Sequence, residues 1–391
     1  MKGFRRVLPL GLAGILCAAA PVQAMAGSPA FSRTAEEWAR LQDDVIEYDE
    51  LADLIHEYNA TVQKNQIDLN EFQKEYGTSR DDVSDRYREL ADELESDLSY
   101  PDSGDSDYAS RMGVIISNET QIKNYRELAD DNVEDLAIKR MTYDSAEAVL
   151  VSTAQTHMIN YYLYQLQLQA DQKKLELLQE NLQSAQKKKE VGMTTDVDVL
   201  NAQENVRNGE QAVQSDETSI DNVHQRLIVL LGWKHDASPE IRELPALDVA
   251  KIDAMNPAED KAAALENNYT LKVNKRKYEN ATSEDTKESL EKSIRDNEQN
   301  IGANLSAEYQ NVLSLKTAYD LAAAQASLDA RDFETAKRQY ELGNISRLDY
   351  VTSQNTAETS ALNQQMAALK LFQAIQTYEW AVNGLASASA M

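Results

Sequence analysis

The chain has 391 residues, a formal net charge of −27 and a composition rich in helix-forming residues. Only 5 Phe and 3 Trp are present, and 13 Gly and 7 Pro are few for this length, which favours long helices over strands and over a thick globular core. Nucleic acid and anionic lipid are poor partners for so acidic a surface.

The N-terminus has the pattern of a secretory signal peptide. A short basic region precedes an apolar run over residues 7–20, and small residues suited to cleavage follow. The apolar run is too short to be a transmembrane anchor. Cys17, the only cysteine, lies in this segment, so we expect no disulfide and no cysteine metal site in the mature chain. We predict a signal peptide over residues 1–26 and a polar lead-in over residues 27–46.

Helical patterns dominate the part of the chain that follows. Apolar residues at spacings of three and four predict helices over residues 47–76 and 81–98. Pro, Gly and short polar residues predict a loop at residues 100–107. Helical pattern then resumes, with a predicted break near Asn118, and continues to Val191.

A motif of helix end, turn and helix start occurs twice, at residues 185–203 and 336–354. Ala, Glu, Gly, Asp and Gln recur in it at one constant offset. Each glycine suits the left-handed position just after a helix C-terminus, and a capping box of the form [ST]-x-x-Asp follows it. We therefore expect two helical hairpins, with their tips at Gly192 and Gly343.

Apolar residues repeat every seven positions along the arms of both hairpins, in the same phase relative to the two tips. A repeat of seven makes long helices supercoil about one another, so we predict coiled-coil arms of roughly 50–70 Å before each tip. Because the heptads of the two arms have the same phase and the two tips share one motif, the sequence indicates an internal duplication. The predicted segments are a first hairpin repeat (residues 47–232), a linker (233–257), a second hairpin repeat (258–385) and a tail (386–391).

The sequence has no pattern typical of an active site. Its four His have no metal-ligand spacing, and no HExxH, nucleophile elbow or glycine-rich phosphate loop occurs. We predict that the protein is not an enzyme and that it needs no cofactor or metal. The acidity is typical of a solvated surface, and a cation-favouring passage is the alternative interpretation.

The twin tips, the paired seams and the export signal together resemble the TolC-like outer-membrane efflux proteins. Both tips fit the pattern Gly-x-x-[ST]-x-x-Asp-[Val/Tyr]-[Leu/Val]-x-x-Gln. The resemblance is good over residues 145–232 and 303–385, and weaker over 47–76 and 258–272. It implies an all-α chain of duplicated coiled-coil hairpins that forms an α-barrel when three copies assemble.

In that family the hairpin tips dock on a periplasmic adaptor protein, which joins the tunnel to an ATP-binding-cassette or proton-driven exporter of the inner membrane. The resemblance therefore implies a homotrimeric conduit for efflux or type I-like secretion, exported to the cell envelope and the outer membrane. By position, the docking surface consists of Val191, Gly192, Met193, Thr194, Leu342, Gly343, Asn344 and Ile345. The network that closes the aperture corresponds to Asp198, Tyr340 and Asp349.

Two features depart from the family pattern. Ile345 stands where the family has a basic residue, with Arg347 two positions further on, and Thr352 replaces an acid of the closing network. The family also has two membrane strands in each half, whereas residues 112–116 are the only strand candidate between residues 77 and 144. We therefore expect no clear β-barrel. The alternative interpretation is an extracellular coiled-coil protein with a structural or interaction role and no transport function.

Overall fold

The computed structural model describes residues 33–389, so the predicted signal peptide lies outside the described residues. The chain divides into two units, Met1–Asp43 and Asp44–Met391. The described part of the first unit contains one short helix, α1 (Ala35–Leu41), which begins at a capping box formed by Thr34. This helix lies within the segment predicted as a polar lead-in.

The second unit is built almost entirely from helices. Those of its first half are α2 (Leu51–Tyr58), α3 (Ala60–Tyr76), α4 (Arg80–Ser96), α5 (Tyr108–Asp130), α6 (Leu136–Glu190) and α7 (Asp196–Leu230). Those of its second half are α8 (Ala250–Ala254), α9 (Pro257–Asn267), α10 (Tyr269–Asn280), α11 (Glu284–Glu341) and α12 (Arg347–Trp380). A 3-10 turn (Tyr48–Glu50) precedes α2, and a π-helical segment (Ala381–Leu385) follows α12.

Two long helical hairpins dominate this unit, α6 with α7 and α11 with α12, and α12 also packs on α6. The predicted all-α fold of long helical hairpins is therefore confirmed. The arms before the tips contain 55 and 58 residues, which is about 80–90 Å at 1.5 Å per residue. They are longer than predicted because each helix continues without a break well beyond the heptad seam.

The sequence-based assignment of α5 was wrong in two respects. Residues 112–116 are helical, and the chain does not break near Asn118. The reason is a buried stripe of Ile115, Ile122 and Ala129, spaced every seven residues, with which α5 packs against α4. The break comes instead at residues 131–135, where Asp135 caps the start of α6.

The α4–α5 hairpin exists only in the first half. In the second half residues 281–283 connect α10 directly to α11. The backbone N–H of Leu136 donates to the carbonyl of Thr78 (3.4 Å), so the two ends of the extra hairpin lie close together. Its helices are otherwise joined to the remainder mainly through α3. The α4–α5 hairpin is therefore an additional element in an arrangement of helices that the two halves otherwise share.

The base of the first long hairpin is closed by an asparagine and a glycine. Asn59 accepts hydrogen bonds from the backbone N–H groups of Thr61 and Val62 at the start of α3, and its amide donates to the carbonyl of Leu230 (2.7 Å) at the end of α7. Gly232 follows with a positive φ of 93°. A Cβ there would lie 2.6 Å from the carbonyl oxygen of Tyr58, which excludes any side chain.

The base of the second hairpin repeats this arrangement. Asn268 caps α10 at Leu271, and its amide donates to the carbonyls of Gly384 (3.2 Å) and Ala386 (2.8 Å). Gly384 has a φ of 121°, and a Cβ there would lie 2.9 Å from the carbonyl oxygen of Asn267. The offset between the two base glycines is one residue longer than that between the two tip glycines, and the π-helical segment absorbs the extra residue.

Buried side chains concentrate at the bases of the hairpins, away from the tips. The fully buried large residues include Ile138, Met158, Ile159, Leu227, Ile228, Leu271 and Ile301. The predicted tail contributes to this core through Ala386 and Ala388, and the carbonyl of Ala388 accepts hydrogen bonds from the side chains of Asn297 (2.7 Å) and Asn300 (3.2 Å). The arms nearer the tips bury little apart from their mutual seams.

The segment between the halves is held against the first repeat. β2 (Glu240–Ile241) pairs in parallel with β1 (Val45–Ile46), and the hydroxyl of Tyr162 on α6 donates to the carbonyl of Ile241 (2.8 Å). Pro257 then begins α9 at the first helical position, where a missing N–H has no cost.

Candidate functional site

The first hairpin tip is a tight turn that ends α6 with a Schellman motif. The N–H of Gly192 donates to the carbonyl of Lys189 (2.9 Å), and the N–H of Met193 donates to that of Lys188 (2.7 Å). Gly192 has a φ of 72°, and a Cβ at this position would meet nothing within 4 Å. The glycine is therefore required by backbone conformation alone.

The capping box that starts α7 holds the turn closed. The N–H of Asp198 donates to Oγ1 of Thr195 (3.2 Å), and Oδ2 of Asp198 accepts from the N–H of Thr195 (3.0 Å). The hydroxyls of Thr194 and Thr195 also donate to this oxygen, at 2.7 Å each. These hydrogen bonds, first those from Thr195, lower the pKa of Asp198 to about 2.

The second tip has the same construction. The N–H of Gly343, with a φ of 74°, donates to the carbonyl of Tyr340 (2.9 Å), and the N–H of Asn344 donates to that of Gln339 (2.8 Å). Ser346 and Asp349 form the capping box that starts α12. The turn has one hydroxyl fewer, because Ile345 stands where the first tip has Thr194.

Both tips expose apolar side chains. Val191 is 68% exposed, Met193 75% and Leu342 75%, whereas large apolar residues at the hairpin bases are buried. Asn344 is also exposed, and Thr194 and Ile345 are half-buried in the turns. The side chains of Val191, Met193 and Leu342 take no part in the hydrogen bonds that form the turns.

The residues assigned to an aperture network do not form one network in the chain. Asp198 and Asp349 each cap their own helix. The ring of Tyr340 stacks on that of Tyr350 with centroids 4.8 Å apart, and the ring of Phe333 also contacts Tyr350, with centroids 5.6 Å apart. Within residues 33–389, no hydrogen bond, ion pair or ring contact links Asp198, Tyr340 and Asp349 to one another.

Sequence reasoning missed the contacts that join the two hairpins near their tips. Nη2 of Arg347, at the start of α12, lies 2.8 Å from Oε1 of Glu180 on α6. Further along the same two helices, Asn355 donates to the carbonyl of Lys173, and Lys173 pairs with Glu358 (3.2 Å). The positive charge of Arg347 could have indicated an ion pair. Its partner, Glu180, could not be identified because it is distant in sequence.

Neither a metal site nor a membrane helix is found in the described part of the chain. No group of three or more His, Cys, Asp or Glu in residues 33–389 is placed to hold a metal ion. None of the helices in that range combines the length and the apolar character that crossing a bilayer requires.

No family model matches the sequence, and no curated protein matches it either. Among solved structures, the chain is similar to a membrane protein from Pseudomonas aeruginosa, with 13% identity, a TM-score of 0.50 and coverage of 84% of this chain and 92% of that one. It is also similar to the Campylobacter jejuni CmeC outer membrane channel (12% identity, TM-score 0.48, coverage 90% and 89%). The outer membrane protein VceC from Vibrio cholerae gives 12% identity, a TM-score of 0.48 and coverage of 90% and 99%. At 13% identity, the similarity to the Pseudomonas aeruginosa protein is one of fold.

Proposed function

We propose that this chain is a subunit of an exported conduit for efflux or secretion, located in the cell envelope at the outer membrane. The observation that carries the proposal is the pair of twin tips, which have one construction and expose apolar side chains at the ends of long arms. The fold shared with a Pseudomonas aeruginosa membrane protein and the sequence resemblance to TolC-like channels support it.

The tips are the surface proposed to dock on a periplasmic adaptor of an inner-membrane exporter, either an ATP-binding-cassette or a proton-driven one. Val191, Met193 and Leu342 are more than two-thirds exposed at turns that are otherwise satisfied by backbone hydrogen bonds. Burial of these three side chains against a partner would stabilise the complex without altering the turns.

Photo-crosslinking in the native host tests this docking directly. A photoreactive residue at Met193 or at Leu342 should give an adduct that mass spectrometry identifies as the adaptor of an exporter. The matched control is Ile67 on α3, which is 56% exposed and lies away from the tips. Adducts of equal yield from all three positions, or none with an adaptor, would contradict the docking role.

The proposed assembly is a homotrimer, and the internal duplication indicates which faces would meet. Within one chain α12 packs on α6, with Arg347 paired to Glu180. The offset that superposes the tips places Asp196 of α7 at the position of Arg347, and Arg331 of α11 at the position of Glu180. The pair is again complementary, with its signs exchanged, so α7 of one copy can pack on α11 of the next as α12 packs on α6.

The free flanks of these helices carry exposed leucines that suit such a contact. Leu321 (69% exposed) and Leu328 (53%) lie on the face of α11 that also carries Arg331. Leu200 on α7 is 61% exposed. The position in α6 that corresponds to Leu321 is Ala170, which is buried. A second copy would cover the leucines as the chain itself covers Ala170.

A charge-exchange experiment tests the interface. Arg331→Glu should dissociate the trimer in light scattering, because it places two acids opposite one another, and Arg331→Glu combined with Asp196→Arg should restore it. Glu334→Lys, at an exposed position of α11 that faces away from Leu321 and Leu328, is the control and should leave the mass unchanged. A wild-type chain that is monomeric with and without an adaptor would instead favour the second candidate, a coiled-coil rod without transport. The α4–α5 hairpin, an addition to one half only, is the feature that favours this candidate.

In the proposed trimer Asp198, Tyr340 and Asp349 are assigned to the rim of the aperture. All three lie within a few residues of the tip turns, where the six hairpins of the ring would converge. Their capping and stacking contacts are compatible with this position because those contacts involve only neighbours in the same hairpin.

A further inference from the structure

Two acids face each other inside the seam of the first hairpin. The seam between α6 and α7 is otherwise apolar, with Leu168, Leu175, Val213 and Ile220 around them. It is also tight nearby, since a Cβ on Gly209 would lie 3.1 Å from side-chain atoms of both Leu175 and Leu178. Asp171 on α6 and Asp216 on α7 are both half-buried at this level.

The carboxyl of Asp216 lies within hydrogen-bonding reach of that of Asp171. Its Oδ2 is sealed from solvent and receives no hydrogen bond from any donor in the described chain. Asp171 is fixed on its other side, because the amide of Gln167 donates to its Oδ2 (2.8 Å). Ionised carboxylates only accept hydrogen bonds, so these two can bond to each other only if one of them carries a proton.

Within residues 33–389 neither acid forms an ion pair with a basic side chain. On α6 the nearest basic side chain with described partners is Lys173, which pairs with Glu176 and with Glu358 of the packed helix α12. On α7 the neighbouring Glu217 is exposed. Burial first, and then Asp171, raise the pKa of Asp216 to about 6.

The second hairpin has no such pair. The offset that superposes the two tips places Ala322 where the first hairpin has Asp171, and Ala367 where it has Asp216. The same seam is therefore built once with two acids and once with two methyl groups.

We propose that Asp171 and Asp216 form a proton-dependent clasp that makes the middle of the first hairpin responsive to pH. When the two carboxyls share one proton, they bond across the seam and hold α6 against α7. When the proton is lost, two carboxylates repel each other in a partly buried site and the seam loosens. The second hairpin stays closed at both pH values.

The sign of the pH dependence follows from the raised pKa. The folded seam binds the proton more tightly than the unfolded chain does, so the stabilisation is full below pH 3.8 and is lost as pH rises through about 6. Between these limits the opening equilibrium of the first hairpin should increase about ten- to 100-fold, because each pKa unit corresponds to a factor of ten.

Hydrogen exchange of the mature chain at pH 5 and pH 7.5, corrected for intrinsic exchange rates, tests the clasp. Amides of α6 and α7 around Asp171 and Asp216 should lose protection at pH 7.5, and the matching amides of α11 and α12 should not. Asp216→Asn should remove the difference, whereas the control Glu217→Gln should retain it. Equal behaviour of the two hairpins in the wild type would overturn the proposal.

Two further measurements keep the proposal testable if a variant is unstable. In the wild type labelled with 13C at Asp carboxyls, one resonance should titrate near pH 6, and titration of every Asp below pH 5 would overturn the clasp. The combined change Ala322→Asp and Ala367→Asp should transfer pH sensitivity to the second hairpin. A folded double variant without that sensitivity would also count against it.

Discussion

At the scale of single residues, the two hairpins are held by glycines of two different kinds. Those at the tips, Gly192 and Gly343, have positive φ and open space around the missing Cβ. Those at the bases, Gly232 and Gly384, have positive φ and face backbone at 2.6 and 2.9 Å. The tips thus need glycine for its conformation, and the bases need it also for close approach.

Alanine at these four positions should separate the two requirements. Gly192→Ala and Gly343→Ala should each lower the free energy of unfolding by about 1–2 kcal/mol, the cost of a left-handed residue with a Cβ. Gly232→Ala and Gly384→Ala should cost about 2–5 kcal/mol, because steric overlap adds to that strain. Denaturant titration followed by circular dichroism measures both. Equal losses at tips and bases would show that the close approach is not a constraint.

A second residue-scale prediction concerns Asp135, which is fully buried at the start of α6. It caps Ile138 (2.9 Å) and accepts from Nε of Arg276 (2.7 Å) and from Asn280 (2.9 Å). Asp135→Ala should lower the free energy of unfolding by about 2–4 kcal/mol, since it removes a cap and leaves two donors without their acceptor. Asp135→Asn keeps an acceptor for the cap and should cost less. A loss below 1 kcal/mol in the alanine variant would contradict this account.

At the scale of elements, the α4–α5 hairpin is the largest difference between the halves. The second half builds the same long arm from α11 with only three residues between it and α10. The extra hairpin is therefore not required for the arm to form. Its own stability comes from the α4–α5 interface, where Val83 and Ile115 are buried.

Removal of this hairpin should leave both long hairpins folded. Residues 80–130 can be replaced by a short Gly/Ser linker, because Thr78 and Leu136 are already joined by a backbone hydrogen bond. We expect retained helicity in the remainder and a single cooperative melting transition. A truncated chain that aggregates or loses cooperativity would show that the hairpin supports the first arm. The same length replaced within α11 is the destabilising control.

At the scale of the whole second unit, the hairpins are held together unequally along their length. At the bases the contacts are buried, and Nε1 of Trp380 donates to Oε1 of Gln155 (2.7 Å). Nearest the tips, the link is the Arg347–Glu180 pair, whose side chains are 71% and 30% exposed, with the Asn355–Lys173 and Lys173–Glu358 contacts further along the same helices. Exposed ion pairs contribute little because water and salt screen them. The tips are therefore free to separate at small cost.

A double-mutant cycle measures this cost. Arg347→Ala, Glu180→Ala and their combination should give a coupling free energy of about 0.2–1 kcal/mol that decreases as salt is added. We expect a small, salt-sensitive coupling because the side chains of the pair are exposed to solvent. A coupling above about 2 kcal/mol, or one that salt does not change, would mean that the hairpins are locked together near the tips.

The parts of this fold that sequence could predict are those determined by neighbours along the chain. A glycine, a hydroxyl and an acid within seven residues specify each tip, and the structure places all of them in the expected cap geometry. The break before α6 was also locally encoded, by Asp135. On sequence alone residues 112–116 are a strand candidate, because the packing of α5 against α4, which involves residues distant in sequence, decides that they are helical. The hydrogen bonds of Asn59 to Leu230 and of Asn268 to Gly384 join residues far apart in the chain, and the sequence did not predict them.

In the candidate site, too, the features set by local sequence could be predicted, and those set by contacts between distant helices could not. Exposure of Met193 and Leu342 follows from their place in a tight turn and could be foreseen. The Arg347–Glu180 pair and the acids that meet at Asp216 depend on which faces of long helices touch, and a repeat of seven leaves several phases open. Such contacts became definite only with the three-dimensional arrangement.

The π-helical segment at Ala381–Leu385 coincides with a change in spacing between the two halves. The halves keep one spacing from the tips through most of α12, and it is one residue longer at Gly384, inside this segment. One added residue in a helix is accommodated as a π-turn, and this accounts for the longer spacing. In the middle of α12 it would have rotated every following seam residue by about 100°. At the base the added residue displaces no seam residue, and the two hairpins keep the same length from base to tip.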